Sequence, residues 1–383
     1  MRLAELVERL DTWYDPAWAE PWDKVGLVCG DPAQDVRRIL FAVDPVAAVV
    51  DEAIEYDADL LIVHHPLFLT PVSSVAADTA KGTIVHRLLG HGIALFTAHT
   101  NADVPEHGVN DAIARTLGLE DTRVLAPTDG GGLDKLVVFV PEADAERVRQ
   151  AVTQAGAGHI GAYDSCTFST LGEGRFRPLE GANPAIGQVG EVELVAEVRV
   201  ESVYPRPLRR LVVEAMRGAH PYEEPAFDLI ELADPGAPVT GAATAPVRGH
   251  GRVGRLPESM VLKELAALVA DRLPTTAHGV RVAGDPDREV RTVAVGAGSG
   301  ESLLDVVRAS GADAYVTSDL KHHRAGEYLE EGVPALLDVA HWAAEWTWLP
   351  VVEALVREAA DEAGDTVDTR VSERVTDPWT FRA

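Results

Sequence analysis

The first third of the chain alternates between two kinds of hydrophobic pattern. Short unbroken apolar runs, each about as long as a buried strand, occur at residues 38–43, 60–63 and 93–97. Residues 46–56 and 84–89, which lie between these runs, carry apolar side chains at helical spacing. This alternation of strand and helix predicts a largely parallel sheet covered by helices.

The order of the predicted elements changes in the middle of the chain. The glycine-rich residues 129–132 predict a hinge, and a stretch rich in Pro, Gly, Ala and Thr at 234–246 predicts a second linker. Between them, the pattern predicts the order β-α-β-β-α-β at residues 136–140, 143–155, 166–171, 192–200, 208–216 and 227–232. This is the order of a ferredoxin-like unit.

The last part of the chain returns to strand and helix alternation, with predicted strands at 293–295, 315–317 and 336–338. We therefore expect an α/β fold with a two-lobed core. Residues 1–132 and 241–383 are its two halves, and residues 133–240 form an inserted ferredoxin-like α+β domain. The length of 383 residues agrees with more than one domain.

The negative net charge of the chain excludes some classes of binding partner. The chain has 34 Lys and Arg against 61 Asp and Glu, a net charge of -27. Such a surface repels phosphate backbones and anionic lipids, so we expect neither direct nucleic-acid binding nor membrane binding. Cys29 and Cys166 are too few and too far apart for a disulfide framework, which favours a reducing compartment.

The N-terminus carries the pattern of an amphipathic helix. Leu3, Leu6, Val7 and Leu10 recur at helical spacing with charged residues between them, unlike the apolar core of a signal peptide. No apolar run approaches the roughly 20 residues that a membrane span needs. We therefore expect a cytoplasmic protein.

Candidate metal ligands follow two of the predicted strands. His64 and His65 come directly after one apolar run, and Pro66 marks a bend at which neighbouring side chains can face one site. His99 and Asp103 follow the next strand of the predicted sheet. Ligands gather at the carboxyl ends of such strands. Taken singly, each patch has a structural explanation: a surface histidine pair, or an aspartate that caps a turn.

A third candidate patch lies near the end of the chain. His341 and Glu345 are four residues apart, so on a helix they share one face, with backbones roughly 6 Å apart. An ordinary intrahelical His–Glu pair is the alternative. Pro350 follows, which predicts that this helix is short, kinked or restarted there.

Together, His64, His65, Asp103, His341 and Glu345 supply three imidazoles and two carboxylates. These nitrogen and oxygen donors suit Zn, Mn, Fe, Co or Ni better than Ca or Mg. Five ligands are too many for one tetrahedral zinc, and they leave open positions on two ions about 3.5–4 Å apart. We predict two divalent metal ions of unspecified identity and an anionic small-molecule substrate.

Two further segments are candidates for the wall of this site. The glycines of Gly296–Gly300 predict a turn after a strand, and its backbone N–H groups can hold a phosphate. Tight packing of a strand against a helix explains the same glycines. Lys321 is a candidate contact for an anion, and His322 or His323 is a candidate general acid or base. A solvated helix start is the alternative for these three residues.

The ordered set of motifs resembles the GTP cyclohydrolase 1 type 2 homologue family, also called the NGG-interacting-factor-like family. The matching stretches are Trp22–Leu27, His64–Pro66, His99–Asp103, Gly296–Gly300, Ser318–His323, and His341 with Glu345. They span nearly the whole chain. Ala102, Ala340 and Ser318 depart from the residues usual in the family, which leaves every ligand in place but changes the expected shape of the pocket.

The resemblance implies a dinuclear metal site with the five ligands named above. It also implies a toroidal homohexamer whose sites face an inner cavity. The inserted segment resembles the PII- or CutA-like module of longer family members, including His220–Pro225. That module is expected to cover the openings of the toroid.

Two functions agree with these features. The first is a metal-dependent hydrolase, in which activated water attacks a nucleotide, as the family name implies, or another phosphorylated small molecule. The second is a non-catalytic regulatory or binding protein, with structural or sensory metals and an insert that docks a partner. Open coordination positions favour the hydrolase.

Overall fold

The computed structural model describes residues 1–128, 133–160, 163–232, 248–330, 332 and 334–383. The predicted hinge at 129–132 and the predicted linker at 234–246 lie outside the described residues. In the part of the chain that is described, no helix is both long enough and apolar enough to cross a membrane.

The strands are β1 Gly26–Cys29, β2 Arg38–Ala42, β3 Leu60–Val63, β4 Ala94–Thr97, β5 Glu120–Pro127, β6 Leu133–Pro141, β7 Phe168–Phe176, β8 Glu193–Pro205, β9 Phe227–Glu231, β10 Gly249–Val261, β11 Val280–Ala283, β12 Glu289–Ser299, β13 Ala314–Ser318, β14 Ala335–Val339 and β15 Asp368–Val371. The helices are α1 Leu3–Trp13, α2 Ala47–Glu55, α3 Ala80–Gly90, α4 Thr100–Asp103, α5 Val109–Thr116, α6 Ala145–Gln154, α7 Arg209–Ala219, α8 Leu262–Arg272, α9 Leu304–Ser310, α10 His322–Glu330, α11 His341–Trp346 and α12 Leu349–Glu362.

Contacts within the chain separate it into two compact units. One comprises Met1–Thr128 and Pro246–Ala383, and the other comprises Asp129–Ala245. Among the described residues, the first unit contains two sheets with helices, and the second contains one sheet with the α-helices α6 and α7. The α/β fold class predicted from the sequence is confirmed.

The first unit contains two sheets of different character. One has the strand order β1-β4-β3-β2-β15, with β4, β3, β2 and β15 mutually parallel and β1 antiparallel. The other has the order β11-β14-β13-β12-β10-β5, in which the neighbours β12, β13 and β14 pair in parallel and the remaining described pairs are antiparallel. The predicted parallel sheet is therefore correct for the first sheet, whereas the second sheet is mixed.

Each of the two sheets includes a strand from the half of the core that forms most of the other sheet. The strand β15, near the end of the chain, pairs with β2 of the first sheet, and β5, from the first third of the chain, pairs with β10 of the second sheet. One edge strand of each sheet thus comes from the other half of the core.

Both faces of the first sheet are buried, as expected of parallel strands between helices. Ile39 and Phe41 of β2 pack in a core shared with the second sheet, while Leu40 and Ala42 pack on the other face with α2 and α3. This explains why its central strands have unbroken apolar sequences, since neither side of the strand meets water.

The second unit has the element order β6-α6-β7-β8-α7-β9. Its sheet order is β7-β8-β6-β9, and every neighbouring pair is antiparallel. Leu136, Val138 and Val200 of the sheet share a core with Val148 of α6 and Val212 of α7. This is the β-α-β-β-α-β order of a ferredoxin-like unit.

Trp348 anchors the shared core of the first unit. Its ring is fully buried, its Nε1 donates a hydrogen bond of 3.0 Å to the Tyr14 hydroxyl, and the two rings meet edge to face at 5.5 Å. Trp348 thus joins the start of α12 to the end of α1 through both apolar packing and a satisfied indole N–H.

We expect Trp348→Ala to lower the free energy of unfolding by about 3–5 kcal/mol, because it opens a cavity in a closed core. Urea unfolding followed by far-UV circular dichroism measures this change. Trp379→Ala is the control, because this indole is 66% exposed, and its effect should stay within about 0.5 kcal/mol. Equal effects of the two substitutions would contradict the assignment.

Candidate metal centre

The five predicted ligands all lie at the ends of strands in the first unit. His64 and His65 directly follow β3, and Asp103 closes the short helix α4 after β4. His341 begins α11 just after β14, and Glu345 lies one turn later on the same helix. The carboxyl ends of parallel strands from both sheets therefore supply the candidate donors, as in other α/β folds.

The imidazole of His64 has one partner and one unsatisfied nitrogen. Nδ1 lies 2.8 Å from the carbonyl oxygen of Ala98, a contact in which Nδ1 donates. Nε2 is buried and has no hydrogen-bond partner, although Asp103 Oδ1 is 3.8 Å away and Glu345 Oε1 is 3.5 Å away. A buried, unsatisfied nitrogen between two carboxylates fits a metal ligand.

Glu345 is the acidic centre of the cluster. Its Oε1 lies 2.8 Å from His341 Nε2, and its Oε2 lies 3.0 Å from His65 Nε2. The latter contact lacks hydrogen-bond geometry, so Oε2 is a second buried polar atom without a hydrogen-bond partner. The side chain is only 4% exposed, and its charge is therefore balanced within the cluster.

Two aspartates outside the predicted ligand set orient the ligand rings. Asp44 Oδ1 lies 2.7 Å from His65 Nδ1, and Asp319 Oδ2 lies 2.6 Å from His341 Nδ1. With Nδ1 held from outside, each ring presents Nε2 to the cluster. This carboxylate–histidine arrangement is typical of metal sites, where it fixes the tautomer and raises the basicity of the ligand.

Charges within the cluster shift the pKa values of the histidines. The pKa of His341 is raised to about 11, mainly by the negative charge of the Glu345 carboxylate. Burial lowers the pKa of His65, but the Glu345 and Asp44 carboxylates outweigh burial and raise it to about 10. Burial lowers the pKa of His64, which has no comparably close carboxylate.

The pKa values of the two carboxylates in the cluster are shifted in opposite directions. Burial raises the pKa of Glu345, but His341, His65 and His64 overcome this and hold it well below its usual value. Burial, and then the Glu345 carboxylate, raise the pKa of Asp103 well above its usual value. Glu345 is 4% exposed and Asp103 is 19% exposed. Two carboxylates beside the same His64 nitrogen need positive charge, which protons or metal ions can supply.

The backbone around Asp103 is held by other buried polar groups. Asn110 donates from Nδ2 to the carbonyl oxygen of Asp103 at 2.9 Å, and its Oδ1 accepts from the backbone of Ala297. The guanidinium of Arg252 is 3% exposed and donates to the Pro105 carbonyl oxygen at 2.9 Å. Strands of the second sheet thereby position a loop of the first.

His99 adds a fourth imidazole to the cluster. Its ring centroid is 5.1 Å from that of His64, and one of its nitrogens belongs to a group with His64 and His65 that can hold a metal ion. His65, His341 and Glu345 form a second such group. His99 Nδ1 is 2.9 Å from Asp23 Oδ1, so this ring too is oriented by a buried carboxylate.

Gly298 leaves space that the cluster occupies. Its φ of +70° is in the left-handed region, and a Cβ there would lie 2.9 Å from Glu345 Oε1 and 3.5 Å from His341 Nε2. Only glycine combines this backbone angle with such close approach to the donors. Residues 296–299 continue β12 rather than forming the predicted turn, because β12 extends to Ser299.

A cavity of 450 Å³ opens beside the cluster. Its lining includes the ligands Asp103, His341 and Glu345, together with Trp22 and the backbone around Ser299. A small molecule in this cavity would therefore touch the candidate donors directly.

Lys321, His322 and His323 lie on the surface at the start of α10, and all three side chains are exposed. Lys321 Nζ is 3.4 Å from Glu301 Oε2, and the rings of His322 and His323 pack against each other. Within the described residues, the lining of the 450 Å³ cavity does not include them. Their catalytic role stays a prediction.

The orienting role of Asp23, Asp44 and Asp319 was not predicted from the sequence. A signal was present for two of them, since Asp44 follows β2 and Asp319 follows β13 at the same sheet ends as the ligands. His250 and His278 had no predicted partner either. His250 lies 3.3 Å from Glu20 and lines the cavity, and His278 lies 3.2 Å from Asp338.

We expect Asp319→Asn to weaken divalent metal binding by about 10–100-fold, because the amide no longer fixes the tautomer and basicity of His341. Titration with Zn²⁺ against a competing chelator measures the change. Asp78→Asn, at an exposed site, is the matched control. Equal affinity of the two variants would rule out an orienting role for Asp319.

Metal binding should also release protons. Without a metal ion, His65 and His341 have pKa values of about 10 and 11, so both carry a proton at pH 7.5. A ligand ring must be neutral, so we expect about two protons released from these two rings, with any further release coming from Asp103, whose pKa is raised well above its usual value. The affinity should rise with pH until these pKa values are passed. Calorimetric Zn²⁺ titrations in buffers of different protonation enthalpy count the protons, and release below one would contradict this assignment.

Comparisons with known proteins agree with this fold. A Mycobacterium tuberculosis protein named "GTP cyclohydrolase 1 type 2 homolog" is 50% identical over 380 residues, covering 99% of this chain and 97% of the relative. A crystal structure of a Bacillus cereus protein related to NIF3 is 38% identical, with a TM-score of 0.67 and coverage of 100% and 99% of the two chains. A Staphylococcus aureus crystal structure is 28% identical, with a TM-score of 0.72 and the same coverage.

A comparison with sequence models of protein families covers nearly the whole chain. The sequence model of one family matches residues 1–378, which include every candidate ligand described above. The chain belongs to the Duf34/NIF3 (NGG1p interacting factor 3) family.

Proposed function

We propose that this protein is a metal-dependent hydrolase with two divalent ions, acting on a nucleotide or another phosphorylated small molecule. The observation that carries the proposal is the buried Nε2 of His64, which has no hydrogen-bond partner and lies near two carboxylates. A polar atom left this way is costly unless a cation completes its contacts.

The donor set supports two ions rather than one. Two overlapping groups, one with His64, His65 and His99 and one with His65, His341 and Glu345, share a single histidine. We assign His64, His65, Asp103, His341 and Glu345 as ligands, with Zn, Mn, Fe, Co and Ni as the candidate metals. Asp103 belongs to neither group, and we assign it in place of His99 because its Oδ1 lies 3.8 Å from the unsatisfied His64 Nε2. Because these donors do not saturate two ions, positions stay open for water and substrate.

Bound divalent ions at this site would supply Lewis acidity and lower the pKa of water. His99 is the residue best placed to hold the proton that water gives up, because Asp23 fixes its Nδ1 and so aims the other ring nitrogen away from that carboxylate. Thr100 donates to the second oxygen of Asp23 at 2.5 Å from its hydroxyl and at 3.1 Å from its backbone nitrogen. This carboxylate is therefore rigidly placed.

An anionic substrate fits the charge of the loaded site. The protein has a net charge of -27, so attraction for phosphate has to arise locally. Two dications against the Asp103 and Glu345 carboxylates leave a positive centre beside the 450 Å³ cavity. The proposal also includes the cytoplasmic homohexamer that family membership suggests, with no direct binding of nucleic acid.

The test is turnover by metal-loaded protein with GTP, p-nitrophenyl phosphate and bis(p-nitrophenyl) phosphate as substrates. We expect His64→Ala and His341→Ala to lower kcat/KM by about 100-fold or more, since each removes a ligand. His86→Ala, on the exposed side of α3, is the control. Metal content of every variant is measured in parallel.

Two outcomes would contradict the proposal. Turnover that survives both ligand substitutions would place the chemistry elsewhere. Stoichiometric metal without turnover on any substrate would instead favour the second function, a regulatory protein whose metals are structural or sensory.

A further inference from the structure

We propose that the second unit contains a separate binding site for a small organic ammonium ion, in a cavity of 260 Å³ next to Glu197. Its described lining belongs entirely to this unit, including Phe176, Arg177 and Tyr222. The site does not depend on the metal centre, since it shares no residue with it.

The floor of the cavity carries a buried carboxylate. Glu197, on β8, is 8% exposed, and its Oε1 accepts a hydrogen bond of 3.0 Å from the Tyr222 hydroxyl. Among the residues that the structure describes, no Lys, Arg or His side chain forms an ion pair with it. A buried carboxylate with one neutral donor is poorly compensated, and a cation in the cavity would correct this.

The neighbouring histidine cannot supply the missing charge. His220 Nδ1 accepts from the backbone nitrogen of Tyr222 at 3.1 Å, and its Nε2 donates to the carbonyl oxygen of Phe139 at 2.9 Å. Both ring nitrogens are therefore engaged as in a neutral imidazole, and burial lowers the pKa of His220. The sequence motif 220–225 thus shapes the cavity without neutralising Glu197.

Two aromatic rings stand beside the carboxylate. Phe176 and Tyr222 meet edge to face with centroids 5.5 Å apart, and both line the cavity. Aromatic faces attract ammonium groups through their quadrupoles, more strongly where water is partly excluded. A carboxylate together with two rings is the combination that recognises an organic cation, whereas a hydrated metal ion would need more oxygen ligands.

The neighbouring strand leaves room for this carboxylate. Gly174 on β7 lies beside Glu197, and a Cβ at this position would be 2.1 Å from Oε2. Any larger residue would push the carboxylate from its place. The glycine therefore preserves the acidic floor of the cavity.

The charge and size of the cavity favour a single positive charge. Its charged lining consists of Glu197, Glu223 and Glu224 against Arg175 and Arg177, which leaves one negative charge uncompensated. A volume of 260 Å³ admits a molecule about the size of an amino acid and is small for a nucleotide. We therefore expect a small monocation with apolar substituents on or near the nitrogen.

The experiment compares choline with 3,3-dimethyl-1-butanol, a neutral molecule of the same shape, on the full chain. Isothermal titration calorimetry and saturation-transfer NMR measure binding. We expect choline or n-butylammonium to bind roughly tenfold or more tightly than the neutral molecule, because of the carboxylate and the aromatic rings. Equal binding of charged and neutral probes, or no binding of either cation, would overturn the proposal.

Matched variants locate the site. Glu197→Gln should weaken cation binding about tenfold or more, whereas Glu173→Gln, which removes the same charge from an exposed position on β7, should not. Phe176→Leu should weaken binding while keeping the carboxylate, so that a folding defect in one variant does not decide the result. Unchanged binding by both Glu197→Gln and Phe176→Leu would overturn the proposal. Metal content should be unchanged throughout, which separates this site from the proposed hydrolase.

Discussion

The structure of the first unit depends above all on the cluster in which carboxylate and imidazole side chains are packed together with little access to water. Glu345 is almost completely buried beside Asp103, and three histidines contact these carboxylates. Two negative charges in such a place cannot persist without positive charge. The cluster is therefore stable only with protonated rings or with bound cations, and the raised pKa values of His65 and His341 are the metal-free form of that balance.

The architecture of the core follows from the need to bring these groups together. The first sheet contributes His64, His65 and the loop that ends in Asp103, while the second contributes Gly298 and α11 with His341 and Glu345. The orienting carboxylates Asp44 and Asp319 come from the same strand ends, so the rings of His65 and His341 are each fixed from behind by a group on a neighbouring loop. Rigid strands and buried loops give the donors a precision that surface loops alone would not provide.

Elements with unbroken apolar runs were predictable, and those without them were not. β3 was predicted with the observed bounds, because its residues are buried on both faces. The predicted restart of the helix near Pro350 is also observed, since α12 begins at Leu349 with Pro350 in its first turn. β5 and β10 were missed. β5 is largely exposed at a sheet edge, and β10 contains three glycines and two arginines, so neither has a pattern that distinguishes it from a loop. The pairing of these strands depends on partners far away in the sequence.

The sequence by itself determined the chemistry of the candidate donors and the class of fold, because residue type and hydrophobic period are local properties. Only the tertiary structure decided which nitrogen of each ring faces the cluster, since Asp44, Asp319 and Asp23 reach their histidines across 21 to 76 positions of sequence. It also decided that Gly298 must lack a side chain and that Glu197 has no ionic partner in the described chain. Such facts depend on distances between strands, which no local pattern encodes.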